Sequence, residues 1–481
     1  MTKFIIKKVS ILSVFCMTLI GFAATAQEKI TLQMAVDRTL ANNLTIKQAQ
    51  VNEVVGSVDL EQAKNNLLPS LNASSSGGYN FGRSQVGGQL LYTTSTSFNA
   101  SGDAQMQVTL FQGGQLRNQI IQNRLALDVN KGQTAKVKND LILSVVTTYL
   151  QILTNQDLVV AAKQQLELAN QTLDRSDISF KVGNQTLADL SQAKAQVSTA
   201  TLSLTTAQNQ LDLSMLILKQ YMEMNPYTPI EIERPDISKL TDIKTLYDAN
   251  EVVRTALTVN PDIRLAELQQ KTYQQAIKVA KGYYYPTVSL YGGLGSNYSN
   301  KIVSKTTSFT DPDYEVIGRV AGTSTNVLTL DKVSHPISGP YSAFDQIRDN
   351  FNQNIGLNIQ IPIFNKFNTR TTVRKAELNL QSAQLNTQIA KNNLSKTIIQ
   401  AVLDLQAADK QYQSATQTFE ANKEALNVTK QRYDVGLVNS LDYNTAVTNY
   451  NKSQNDMIAA KYTVIFRSKI IDYYLGNTIT L

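Results

Sequence analysis

Asp189 and Asp442 stand at matched places, each the same interval beyond a Val-Gly pair, in FKVGNQTLADLSQA and YDVGLVNSLDYNTA. A carboxylate just after such a turn accepts hydrogen bonds from the free N–H groups of the following helix, so capping is its elementary chemistry. Other chemistry has few candidates. His335 is the sole histidine and sits beside Pro336 and near Gly339-Pro340, the setting of an exposed loop residue rather than a general base. The sole cysteine, Cys16, lies in the leading apolar run, so the chain beyond it cannot build a Cys/His zinc site. Neither a GxxxxGK[ST] loop nor a GxGxxG fingerprint occurs. The sequence therefore predicts no catalytic residues, no cofactor and no metal.

Residues 1–26 read as a signal peptide, with Lys3, Lys7 and Lys8 ahead of an apolar run from Val9 to Ala24 and an Ala24-Thr25-Ala26 cleavage pattern. The run is shorter than the roughly 20 residues that span a bilayer, and Cys16, followed by further apolar residues, does not sit as a lipid-attachment cysteine does. Without the three signal lysines, 42 basic residues face 38 acidic ones. A net charge of +4 with no dense basic run argues against a nucleic-acid partner. Charged residues make up 17% of the chain, below the roughly 25% of soluble domains. Asn, Gln, Ser and Thr take their place, so the surface is polar but weakly charged.

The elements that carry the two aspartates occur twice. VTLFQGGQLRNQI changes from strand-like alternation to helix-like sequence at Gly113-Gly114, and IQIPIFNKFNTRTTV makes the same change 253 residues later, Phe364 answering Phe111. That offset also pairs Val182-Gly183 with Val435-Gly436, Asp189 with Asp442 and Ala193 with Ala446. Upstream the offset is 217, pairing Pro69 with Pro286, so the second half carries a longer loop. An internal duplication accounts for these matches. The first repeat, 27–224, is expected to contain a helix, strands near 70–82 and 98–111, a long helix near 113–181, a tip turn and a helix over 186–222. A linker over 225–245, with NPYTPIEIERPDIS, leads to the second repeat, 246–481. That repeat is expected to contain a helix, strands near 287–298 and 351–363, a long helix near 366–434, a tip turn and a helix over 440–475.

All four strand segments alternate. In the second, Phe98, Ala100, Gly102, Ala104, Met106, Val108 and Leu110 oppose Asn99, Ser101, Asp103, Gln105, Gln107 and Thr109; in the third, Tyr291 falls on the polar side. These segments reach or exceed the roughly 9–11 residues that cross a bilayer. In lipid every backbone N–H and C=O must be paired, which requires a closed barrel. Four strands cannot close, since ordinary membrane barrels start at about 8. Three copies would bring twelve and enclose a lumen lined by the Asn, Ser and Gln faces.

From Gln115 to Lys181 there is no proline and one glycine, and from Asn365 to Val435 neither occurs. The first stretch, 67 residues, would make a rod of roughly 100 Å. Leu190, Ala193, Val197, Ala200, Leu204, Ala207, Leu211, Ser214, Leu218 and Tyr221 keep the 3-4 spacing of a coiled-coil seam. The copy runs from Tyr443 to Tyr474, with Arg467 as its weak point. Residues 43–67 and 186–222 together nearly equal the long helix in length, so two short helices stacked end to end are expected to flank it.

With TLFQGGQLRNQ, the paired tips and the duplication, the sequence resembles the TolC family of outer-membrane efflux channels over essentially the whole chain after the signal. The resemblance implies an α+β, TolC-like homotrimer whose shared 12-strand transmembrane β-barrel, four strands per chain, continues as a long α-helical barrel through the periplasm. It implies an outer-membrane location and a conduit, not an enzyme. Substrate would pass through it passively in a tripartite efflux or type I secretion system, with a periplasmic adaptor, an inner-membrane pump and outer-membrane lipid as partners. By the same resemblance Tyr433 and Asp189 match a pair that links neighbouring helical hairpins, and Asp442 a pore-facing carboxylate. Three Asp442 side chains would attract cations and disfavour anions. Val182, Gly183, Val435, Gly436 and Leu437 match the adaptor-docking tips. The sequence departs from the pattern at Val438, in place of a basic linking residue, and at Thr445, in place of a second carboxylate. These departures imply a weaker latch and a single acidic ring. Capping and gating both remain open for Asp189 and Asp442. A rival reading, a trimeric adhesin with a shared barrel anchor, calls for four contiguous strands at the C-terminus, whereas these come as two separated pairs with helix last. Neither the cargo nor a role for loop 299–350 follows from the sequence.

Overall fold

The computed structural model describes residues 28–85, 92–234 and 245–477. The signal peptide and part of the linker lie outside the described residues. The chain divides into two compact units, a sheet unit (58–124 and 273–379) and a helical unit (1–57, 125–272 and 380–481).

In the sheet unit the alternating segments become β2 (Ser70–Gln85), β3 (Tyr92–Gln112), β5 (Thr287–Ser299) and β10 (Asn352–Gln360). They form one antiparallel sheet in the order β10-β5-β3-β2. Register puts like with like: Leu71 faces Met106, Ala73 faces Ala104 and Tyr79 faces Phe98. Across β3 and β5, Met106 faces Gly292 and Ala104 faces Leu294. One face is therefore apolar. The other carries Ser74 Oγ donating to Asp103 Oδ1 at 2.6 Å and the Ser76–Ser101 hydroxyl pair at 2.9 Å. Tyr291, out of pattern on this face, has its ring over Gly356, where an added Cβ would lie 2.5 Å from the Tyr291 hydroxyl.

Three strand limits differ by three residues or more from the sequence expectation, and each has a physical cause. The first hairpin extends to Gln85 and Tyr92, because the ladder continues through Arg83–Thr94 and Ser84–Thr93. The fourth strand ends at Gln360, not 363, because its partner begins at Thr287, opposite Gln360, and Pro362 has no N–H to donate. Loop 299–350 is structured: β6 (Ser304–Phe309) pairs with β9 (Pro336–Pro340), β7 (Val316–Arg319) pairs with β8 (Asn326–Leu328), and a helix follows at Ala343–Asp349.

The strand-to-helix switch has the same backbone twice. Gly113 and Gly114 have φ of 57° and 73°; Lys366 and Phe367, at the 253-residue offset, have φ of 57° and 60°. These left-handed pairs delay the long helices, which begin at Gln115 and Asn368 rather than 113 and 366. Glycine is obligatory only at the first switch, where a Cβ on Gly113 would meet Gly282 O at 2.4 Å and Tyr285 Cβ at 2.7 Å.

In chain order the helices are α1 (Leu32–Asn42), α2 (Leu44–Asn65), α3 (Gln115–Lys181), α4 (Leu187–Tyr221), α5 (Ala249–Val259), α6 (Pro261–Lys281), α7 (Ala343–Asp349), α8 (Asn368–Asp434) and α9 (Ser440–Leu475). Both long helices, α3 and α8, have 67 residues. Within the helical unit α2 starts where α4 ends: Asn43 Nδ2 donates to Tyr221 O at 3.1 Å and Leu44 N to Glu223 Oε1 at 3.2 Å. Asn43 also caps the start of α2 through Thr45 N at 2.9 Å, and Asn260, at the 217-residue offset, caps α6 through Asp262 N at 2.8 Å.

Two apolar cores hold this unit. One gathers Ile30, Val145, Tyr149, Ile152, Leu153, Leu218, Met222, Ile230 and Ile232. It is closed by a parallel pairing of β1 (Glu28–Ile30) with β4 (Ile230–Ile232), a strand inside the expected linker and too short to produce a periodic signal. The second packs Val252 and Ala256 of α5 on Ile398, Val402 and Leu405 of α8 and Val464 and Ile471 of α9. Arg467, the misfit in the seam, pairs with Asp404 at 3.0 Å. Among the described residues no helix is long and apolar enough to cross a membrane.

Candidate functional site

The two Val-Gly turns are built alike for a local reason. A helix ends cleanly when a left-handed residue lets its last carbonyls be capped, and glycine does this without steric cost. Gly183 has φ of 80°, with Asn184 N donating to Ser179 O at 2.8 Å; Gly436 has φ of 77°, with Leu437 N donating to Arg432 O at 2.8 Å. Val182, Val435 and Leu437 project from the turns, each at least 65% exposed.

The matched aspartates turn out to do different work. Thr186 caps α4, its Oγ1 accepting from Asp189 N at 3.2 Å, while Asp189 Oδ2 accepts from Thr186 N at 3.1 Å and Thr186 Oγ1 at 2.7 Å. This is a reciprocal capping box. Asp189 Oδ1 also accepts from the Ser440 hydroxyl, at the start of α9. The Ser440 and Thr186 bonds hold the Asp189 carboxyl below its ordinary value of 3.8. At the second tip Asn439 provides the cap, accepting from Asp442 N at 2.8 Å. The Asp442 carboxylate is exposed and makes no hydrogen bond or ion pair among the described residues. Capping thus accounts for the carboxylate of Asp189 and leaves that of Asp442 free.

Tyr433 and Asp189 line one polar cleft of about 760 Å³, together with Arg175, Ser179, Asn184, Gln185, Asp434 and Ser440. Their hydrogen bonds go elsewhere than to each other: Tyr433 accepts from Gln185 Nε2 at 2.7 Å, and Asp189 from Ser440. The Tyr433 ring stacks on Tyr443, centroids 4.8 Å apart and planes 6° from parallel. Tyr443 is buried, and desolvation pushes its phenol above the ordinary value of 10. Arg175 of α3 forms an ion pair with Asp434, the last residue of α8. At this cleft the pairs Gln185–Tyr433, Ser440–Asp189 and Arg175–Asp434 therefore tie the two hairpins together within one chain. Sequence reasoning missed Arg175, Gln185, Asp434, Ser440 and Tyr443. Only Tyr443 carried a signal, as the first member of the second seam; the others pair across about 250 residues, which no local pattern records.

His335 immediately precedes β9, its Nε2 3.3 Å from Glu315 Oε1 and more than half exposed. Among the described residues no cluster of His, Cys, Asp or Glu can hold a metal ion. The tips thus offer fixed charge, polar ties between the hairpins and exposed apolar side chains.

A family model described as outer membrane efflux protein matches residues 35–222 and 252–477. The chain is 22% identical over 462 residues to the outer membrane protein TolC of Salmonella enteritidis, covering 96% of this chain and 84% of that relative. It is 22% identical over 440 residues to the toxin and drug export protein A of Aggregatibacter actinomycetemcomitans, 90% and 83% of the two. Among solved structures it is similar to CusC, with a TM-score of 0.73, 17% identity and 96% of both chains covered.

Proposed function

The chain belongs to the outer membrane efflux protein family of TolC-like channels, non-enzymatic transport proteins of the outer membrane, and from that premise we propose that three copies assemble into one exit duct. The observation that carries this reading is the sheet. Among the described residues, no strand pairs with the outer edges of β10 and β2, and one face of the sheet is apolar. Lipid tolerates an apolar face but not an open edge. Pairing β10 of each copy with β2 of the next closes a barrel of twelve strands, and the Asn, Ser and Gln face lines its lumen. The 253- and 217-residue offsets shared by left-handed pairs, tip glycines and capping asparagines support the origin of the two halves by duplication. The rival adhesin reading is set aside by family membership and by the sheet's two separated strand pairs.

Substrate passes through the duct without chemistry, delivered by an inner-membrane pump and a periplasmic adaptor of a tripartite efflux or type I secretion system. The adaptor docks on Val182, Gly183, Val435, Gly436 and Leu437. Tyr433 and Asp189 hold the tip closed, and the three free Asp442 carboxylates ring the entrance and favour cations. A relative named for toxin and drug export supports toxins and small-molecule drugs as the cargo class. The test is the mass of the detergent-extracted protein together with single-channel recording. A trimer that conducts is expected; a water-soluble single copy that stays folded without surfactant overturns the reading.

A further inference from the structure

The second loop ends in α7, seven residues that the strand pattern does not require. It is held firmly. Ser342 Oγ caps it by accepting from Asp345 N at 3.1 Å. Gln346, 1% exposed, accepts from Ser299 N at 3.0 Å and donates to Ile302 O at 2.9 Å. Ser296 Oγ donates to Ile347 O at 2.6 Å, and Asn350 Nδ2 to Asn297 O at 2.7 Å. These bonds seat the helix at the end of β5 reached by Tyr298 and Ser299.

Its place is on the apolar face. Ser296 shares strand parity with Leu290, Leu294 and Tyr298, and an open cavity of about 470 Å³ between helix and sheet is lined by Ala100, Ala104, Leu294, Tyr298, Ile347 and Phe351. The ring cluster of Tyr79, Phe98 and Tyr298 lies at the same end of the sheet, with centroids 4.9 and 6.2 Å apart. Such rings mark the interfacial level of a membrane barrel.

The helix itself is two-sided. Phe344 and Ile347 stand three apart on one helical face and Phe351 follows just past the C-cap Asn350, yet they remain 74%, 50% and 56% exposed. The charges are tied down: Arg348 binds Asp349 at 2.9 Å and Asp345 at 3.1 Å, and Lys305 binds Asp349 at 3.0 Å. An amphipathic helix fixed beside a lipid-facing wall, with its apolar side uncovered, has the construction of a segment lying in the membrane interface.

We propose that α7 is a membrane-interface anchor, with Phe344, Ile347 and Phe351 among the acyl chains of the outer leaflet and Arg348, Asp345, Asp349 and Lys305 at headgroup level. Together with the ring cluster on the strands, it would set the depth of the barrel. The inference rests on the reading of the apolar sheet face as lipid-facing.

The chain contains no tryptophan, so one introduced indole reports its own surroundings. Phe344→Trp, with Phe351→Trp as a second probe, is compared with Leu357→Trp on the apolar sheet face and Leu330→Trp on the 94% exposed loop between β8 and β9. The full chain is reconstituted in dioleoylphosphatidylcholine vesicles with and without brominated acyl chains. Phe344→Trp is expected to emit at shorter wavelength than Leu330→Trp, to lose at least half its fluorescence to brominated lipid and to resist aqueous iodide. If both α7 probes follow Leu330→Trp while Leu357→Trp is quenched by brominated lipid, the anchor is overturned and the barrel reading stands. If brominated lipid leaves Leu357→Trp unquenched, the barrel reading fails and takes the anchor with it. If neither agent quenches the α7 probes, protein covers the helix and the lipid assignment is overturned.

Discussion

The Ser440 hydroxyl, at the start of α9, donates to the Asp189 carboxylate in the first turn of α4, so the cap of one hairpin is also its tie to the other. Ser440→Ala removes the largest cause of the lowered Asp189 pKa and should move that pKa up toward 3.8. A carboxylate held low contributes stability that is complete above its unfolded value and lost as pH falls through the folded one. The wild-type tie should therefore persist at pH 5 and fail only below about pH 3.8; in Ser440→Ala, which lacks the tie, the remaining Asp189–Thr186 cap should begin to weaken at a higher pH than in the wild type. Amide exchange at Thr186–Leu190 should quicken about threefold to tenfold in the variant at neutral pH, matching roughly 1 kcal/mol for one exposed bond. Unchanged exchange and an unchanged carboxyl titration would make the contact incidental.

Tyr433→Phe deletes the acceptor of Gln185 Nε2 but keeps the ring on Tyr443. The expected result is a higher single-channel conductance with an unaltered thermal midpoint, since packing is retained. Gln185→Ala should reproduce it. If both variants conduct as wild type does, the tyrosine serves packing alone.

Asp442→Asn should lower cation over anion permeability, measured as a reversal potential under a salt gradient in planar bilayers. Asp189→Asn should change selectivity less, because the carboxylate of Asp189 already accepts from Thr186 and Ser440 whereas that of Asp442 is free. Unaltered selectivity in Asp442→Asn would remove this residue from the pore.

At the strand-to-helix switches the same backbone predicts opposite outcomes. Lys366→Gly relieves a left-handed non-glycine residue at φ of 57° and should stabilise by about 1 kcal/mol. Gly113→Ala drives a Cβ to 2.4 Å from Gly282 O and should cost about 2 kcal/mol or more. Thermal unfolding followed by circular dichroism should show the midpoint rising in the first variant and falling in the second. A fall in Lys366→Gly would mean that the lysine side chain makes contacts that outweigh its backbone strain.

Period and punctuation carried much of this protein in the sequence itself. Strict alternation in residues 98–110 marked a two-faced strand, and freedom from Gly and Pro between 365 and 435 permitted a 67-residue helix. The Val-Gly pairs announced the turns because glycine supplies the left-handed residue that ends a helix. Such features are local, so a linear reading suffices. The length match of short and long helices likewise anticipated the joint that Asn43 and Tyr221 make.

What the linear order could not hold is which partners meet across long separations. Lys366 and Phe367 take the left-handed conformation of Gly113 and Gly114 with nothing in their residue types to say so. Asp189 and Asp442 were indistinguishable as letters, each six residues beyond its glycine. Their roles separated only when folding set Ser440 against one carboxylate and left the other in open solvent, since a hydrogen bond depends on positions in space that residues some 250 places apart acquire only together.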